Sequence, residues 1–266
     1  MARSEEPVAQ LYFGKLNAEI LVLGNSRGLR LFSDSAFEDN LGMSSANLSV
    51  QSASTEISLM ILKDYLDRNQ KPRIVIHEIT DLIRNNDAVR TLRVYASSSP
   101  RLRTIQYQME PKWAIFGEVF PTLDYNNQEF REWSAQVIRG KPSYLYETEM
   151  PLDLVSEVNT SFPIQYISTA ENLNALAEIH SICEKHQIKY IPVVAPLFPG
   201  YRRNIANFDD WIDEVELILG SDCSMADYSD HEAFVERELY ADHIHINRRG
   251  VTIFFDLIRT DDRLRK

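Results

Sequence analysis

Long apolar runs are missing from this chain of 266 residues; no window approaches the ~18 consecutive apolar residues that a membrane-spanning helix needs. The first residues, MARSEEPVAQLYF, are acidic and have no apolar signal core. The expected place of the chain is therefore the cytoplasm, or else the sequence begins just after a signal or anchor. Cysteine is scarce. Cys183 and Cys223 lie far apart and fit no zinc or redox spacing, so they read as two partly buried thiols rather than a disulfide. Positive charge is in deficit, with 28 Lys and Arg against 39 Asp and Glu and a formal net charge of −11. Such a surface repels nucleic acid and anionic lipid, and neither is expected as a primary ligand. Basic side chains still pair locally, at Arg27 and Arg30, Arg101 and Arg103, Arg202 and Arg203, and Arg248 and Arg249. Neither Gly-x-Gly-x-x-Gly nor a phosphate loop ending in Gly-Lys-Ser/Thr occurs, which sets a nucleotide-binding domain aside.

What is present is a strand–helix alternation. EILVLG (Glu19 to Gly24) is a short, nearly continuous apolar run, as in a strand covered on both faces. A short helix is expected in LRLFSDSAFED, then a strand in SANLSV (Ser45 to Val50). A helix follows from Thr55 to Asn69, striped by Ile57, Ile61, Leu62, Tyr65 and Leu66. Further strands are expected at Arg73 to Ile79, at Ile188 to Pro196 and, weakly, at Ser224 to Ala226. Helices are expected at Ala170 to Gln187, Phe208 to Leu219 and Asn247 to Arg259. The alternation predicts an α/β fold in which three layers, α/β/α, enclose a parallel sheet within a single domain. Residues 81–168 break the rhythm. They read as a helical and irregular insertion, either a second sub-core or a lid that brings an aromatic ring over the site. Tyr95, Tyr107, Trp113, Tyr125 and Trp133 are the candidate rings.

Two short segments carry the chemistry. In Gly24-Asn25-Ser26-Arg27-Gly28 a serine sits on a strand-to-helix turn, where amides and the helix dipole favour developing negative charge. Taken alone, Ser26 reads equally as a helix N-cap. In Asp242-His243-Ile244-His245 an aspartate precedes a histidine by three residues on the turn into the last helix. Its carboxylate can fix the tautomer of His245 and stabilise the imidazolium. His243 is expected to point elsewhere. No third cluster of His, Cys or acidic residues accompanies this pair, so neither a metal nor another cofactor is expected.

The order and context of these segments resemble the SGNH (GDSL-type) hydrolases. The first block, usually Gly-Asp-Ser, corresponds to Gly24-Asn25-Ser26. The last block, Asp-x-x-His, corresponds to Asp242 to His245, trailed by Asn247 and Gly250. The resemblance implies a Ser26–His245–Asp242 triad. It also implies an oxyanion hole from Ser26, Ser52 and Thr80, with Asn25 and Arg27 as substrate contacts. Two departures stand out. Asn47 to Ser52 ends in serine where the family has glycine, and Glu78-Ile79-Thr80-Asp81 has Thr80 where the family has asparagine.

The Gly-x-Ser-Arg first block is closest to a divergent branch associated with bacterial cell-surface polysaccharide assembly and O-acylation. Val75 to Leu82, Asn126-Asn127 with Phe130, Pro192 to Pro196 and Asp227-Tyr228-Ser229 fit it as well. That branch implies an ester hydrolase or O-acyl(acetyl)transferase acting on a small acyl ester or acylated glycan. It also implies association with membrane-bound polysaccharide machinery in the cell envelope. The alternative is a non-catalytic glycan-binding or assembly subunit.

Overall fold

The structure is a computed structural model, and it describes residues 7–32, 34–80, 86–125, 145–160 and 163–263. Five strands form one sheet: β1 (Ile20–Leu23), β2 (Ser45–Asn47), β3 (Ile74–Glu78), β4 (Lys189–Val194) and β5 (Ala226–Asp227). All pairings are parallel and the spatial order is β2-β1-β3-β4-β5.

The period of two along β1 sorts its side chains between two cores. Leu21 and Leu23 face one core with helices α4 (Thr55–Arg68), α9 (Ala170–Lys185) and α11 (Phe208–Leu219). Ile20 and Val22 face the other with α2 (Ser26–Leu31), α3 (Asp34–Leu41) and α12 (Arg248–Thr260). This is the three-layer α/β/α arrangement. All four residues of β1 are fully buried, each contributing roughly 1.5–3 kcal/mol by transfer from water. The chain leaves β1 toward β2 and then returns past it to β3. That reversal opens a crevice at the carboxyl ends of β1 and β3, where such sheets place ligands.

Several boundaries shift from expectation. β2 stops at Asn47, three residues early, because the Asn47 side chain turns into the fold. Its Nδ2 donates to the carbonyls of Gly28 (3.0 Å) and Phe32 (2.7 Å), and its Oδ1 accepts from the Ser49 amide (3.0 Å). The helix expected after Ser26 is two helices, α2 ending at Leu31 and α3 beginning at Asp34. The remaining helices are α1 (Pro7–Tyr12), α5 (Asp87–Leu92), α6 (Pro100–Met109), α7 (Pro111–Val119), α8 (Leu152–Thr160) and α10 (Pro199–Asn204).

The described part of the insertion divides. Residues 87–125 pack outside α4: Ser99 Oγ meets Met60 Sδ at 3.8 Å, and Arg101 pairs with Asp64 at 2.8 Å. Residues 145–150 instead return to the carboxyl end of the sheet, where the Met150 amide donates to the Tyr240 carbonyl at 2.7 Å. Cys183 and Cys223 are free thiols; burial pushes the first up to about 12 and the second to about 11.

Asn47 fastens α2 to the end of β2 from a site that is 9% exposed. Asn47→Ala leaves the Phe32 carbonyl unmet, the Gly28 carbonyl keeping the Phe32 amide, and is expected to cost about 1–3 kcal/mol of stability. The urea midpoint at constant slope reads that loss.

Candidate active site

The Ser26 turn is built against the end of β3. Gly24 has φ +140, and a Cβ there would lie 2.9 Å from the Glu78 Cβ; one on Gly28 would lie 2.7 Å from Ser49 Oγ. Both glycines let the chain approach its own neighbour closely. The side chain of Asn25, 8% exposed, accepts from the Arg27 amide at 2.8 Å and is the N-cap of α2. Ser26 is thus the first helical residue and not the cap. Its hydroxyl reaches His245 Nε2 at 2.9 Å.

The histidine is held from its own loop. Asp242 Oδ1 accepts from the Ile244 and His245 amides, both at 2.9 Å. The Asp242 oxygens stand 3.0 and 2.8 Å from His245 Nδ1. A carboxylate on Nδ1 sets the proton there and presents Nε2 to Ser26 as an acceptor. Burial raises the Asp242 pKa, but the hydrogen bonds from His245 and the loop amides outweigh it, and the net direction is down. His243 faces away, stacked on Tyr201 at 5.8 Å with Nε2 3.1 Å from the Leu154 carbonyl. Asn247 caps α12 by accepting from the Arg249 and Gly250 amides at 3.0 and 3.2 Å.

Beneath Ser26 lies a buried polar cluster. Glu78 is fully buried and Arg27 is 6% exposed; Arg27 Nε stands 3.7 Å from Glu78 Oε1, and Arg27 Nη2 donates to the Thr80 carbonyl at 2.9 Å. Burial disfavours the Arg27 charge, but Glu78 and Tyr166 more than offset this, so its pKa is raised. The Thr80 hydroxyl donates to Glu78 Oε1. Asn25, Arg27 and Thr80, expected to face substrate, thus turn their side chains into the fold. Ser52 has φ +59, the left-handed region that favours glycine. Among the described residues, the Ser26 and Ser52 amides have no hydrogen-bond partner. Asp81, Asn126, Asn127, Phe130 and Trp133 lie outside the described residues, as does the side chain of Tyr125.

The aromatic neighbour of the site is Tyr146. Its ring centroid lies 5.7 Å from that of His245, and the Arg30 guanidinium stands 4.4 Å from its centre. The Arg248 amide donates to the Tyr146 carbonyl at 2.8 Å and fixes this strand of chain. Three of the rings expected there, those the structure describes, are elsewhere. Tyr95 stacks on Tyr12 at 5.1 Å, Trp113 lies under Arg93, and Tyr107 stands exposed on α6 beside Glu118. Nothing in the local sequence of Tyr146 distinguished it; its placement depends on hydrogen bonds to residues about a hundred positions later.

No family model matches the sequence, and no curated protein matches it. Solved structures do. One is a protein from Streptococcus pneumonia, described provisionally as a platelet activating factor, with 11% identity and TM-score 0.47, covering 95% of this chain and 87% of that one. Another is a GDSL-like lipase from Bacteroides thetaiotaomicron, with 12% identity and TM-score 0.44, covering 97% of this chain and 91% of that one. The chain's own arrangement is a three-layer α/β/α fold. It has a five-strand parallel sheet, a serine after β1, and Asp-x-x-His ahead of the last helix.

Asp242 ionises more readily folded than unfolded, so its ionisation stabilises the fold above the ordinary carboxylate range. That contribution is lost as pH falls through its lowered folded value. Wild type is therefore expected to melt above Asp242→Asn near about pH 7, with the gap closing toward about pH 3. Paired melting curves across that window check the sign.

Proposed function

We propose that this chain is a serine-dependent ester hydrolase or O-acyltransferase of the SGNH type, acting on small acyl esters of a glycan. One observation carries the reading. The Ser26 hydroxyl lies 2.9 Å from His245 Nε2, while the Asp242 carboxylate holds Nδ1. In the reaction, Nε2 takes the Ser26 proton as Oγ bonds to the acyl carbon. The Ser26 and Ser52 amides hold the resulting oxyanion, Asp242 stabilises the imidazolium, and His245 returns the proton to the departing alcohol. The acyl group then passes from Ser26 to water or to a sugar hydroxyl. The glycan, the envelope location and the polysaccharide machinery as partner come from the resemblance of the Gly-x-Ser-Arg block.

A second reading keeps the fold without the chemistry, as a glycan-binding or assembly subunit. The engaged Thr80 hydroxyl favours it, since among the described residues the end of β3 then offers the oxyanion no side-chain donor.

Ser26→Ala is expected to abolish both turnover of a small acetyl ester and labelling by a fluorophosphonate. Asp242→Asn should lower kcat by about 10³–10⁴. Thr80→Ala should lower it by roughly tenfold or less, through the repositioned Glu78. Wild type that neither turns over esters faster than Ser26→Ala nor takes the label would favour the second reading.

A further inference from the structure

Among the described residues, Arg30 is a cation without an ion-pair partner. It stands in α2 one turn after Ser26. It makes no ion pair among the described residues, in a chain with 39 acidic side chains against 28 basic ones. Its charge is held over the ring of Tyr146 at 4.4 Å, and that ring lies 5.7 Å from the ring of His245. Arg30, His245, Arg27 and Ile246 line one small pocket. Arg30 Nε and Arg27 Nη1 are buried with no hydrogen-bond partner among the described residues. A charged N–H shut away from water and unmet is unfavourable, and such an atom beside a reactive centre points to a ligand group. The two arginines differ. Glu78 compensates Arg27, whose Nη2 is already spent on Thr80. The Tyr146 face stabilises the Arg30 cation without satisfying its N–H groups.

We propose that Arg30 recognises an anionic group on the alcohol half of the ester, so that the substrate is an acylated molecule with a carboxylate or phosphate near the esterified hydroxyl. The inference rests on the esterase reading, because the alcohol half departs toward His245, the residue that protonates it, and Arg30 stands on that side. Carboxylate and phosphate both offer the paired oxygens that a guanidinium fork matches. An acidic sugar and a phosphorylated sugar share this chemistry. The acidic surface repels either one, so attraction at the site needs a local cation free of an internal partner.

The test uses three meta-substituted aryl acetates: the esters of hydroxybenzoate, hydroxyphenyl phosphate and neutral hydroxybenzamide. In wild type, kcat/KM is expected to favour at least one anionic ester over the amide by about tenfold, chiefly through KM. The two anionic arms tell carboxylate from phosphate. Arg30→Gln should bring the ratio close to one, and Arg30→Lys should keep part of it. A wild-type ratio near one, or a preference that survives in Arg30→Gln, overturns the proposal. Labelling of Ser26 by a neutral fluorophosphonate reports separately on the esterase reading. No label and no turnover of any ester sinks that reading and the inference with it, whereas turnover without charge preference sinks the inference alone. If Arg30→Gln does not fold, or Ser26 is labelled without turnover, protection of wild-type Ser26 from the label decides. Protection by free hydroxybenzoate or hydroxyphenyl phosphate but not by hydroxybenzamide supports the proposal; equal protection, or none, overturns it.

Discussion

Glu78 ends β3 with its side chain wholly excluded from water, and a charge in that position needs a cation and hydrogen bonds against it. Arg27 supplies the cation from the residue after Ser26, and Thr80 supplies a hydroxyl. The arginine also grips the Thr80 carbonyl, so the turn after β1 and the turn after β3 are tied by one side chain. Gly24 and Gly28 follow from the same constraint, because the turn must lie almost on the Glu78 Cβ. Removing either charge alone would strand the other in the interior.

The basic half of the site is organised by a second and independent device. Asp242 closes its own loop through two amides before it reaches the imidazole, so histidine and carboxylate are positioned by a single short turn. That locality is why Asp-x-x-His could be read from the sequence. Ser26 was harder, because its type and position suit a helix cap equally well. Asn25 takes the capping role and releases the serine hydroxyl.

The fold was legible where periodicity is local. α11 begins and ends at the expected residues, Phe208 and Leu219, and β1 lies inside its expected run. Legibility failed where a polar side chain overrides the pattern, as Asn47 does in cutting β2 short. It failed again where partners are remote. The orientation of the Arg27 side chain depends on Glu78 and on the Thr80 carbonyl, and the approach of Tyr146 to His245 depends on Arg248. No window of sequence contains those contacts.

The contact between Ser26 and His245 spans 219 positions of chain. The Asp242–His245 turn can form early, since it closes only three residues, whereas bringing the serine to it requires the sheet between them to be complete and its loop-closure entropy already met. The pair is therefore complete only when two distant parts of the chain have met, a local turn on one side and a serine 219 positions away on the other. Covalent reactivity at Ser26 would then act as a refolding clock for the whole chain, rising with the final docking of α12 rather than with the appearance of helix, and lagging any spectroscopic signal of secondary structure.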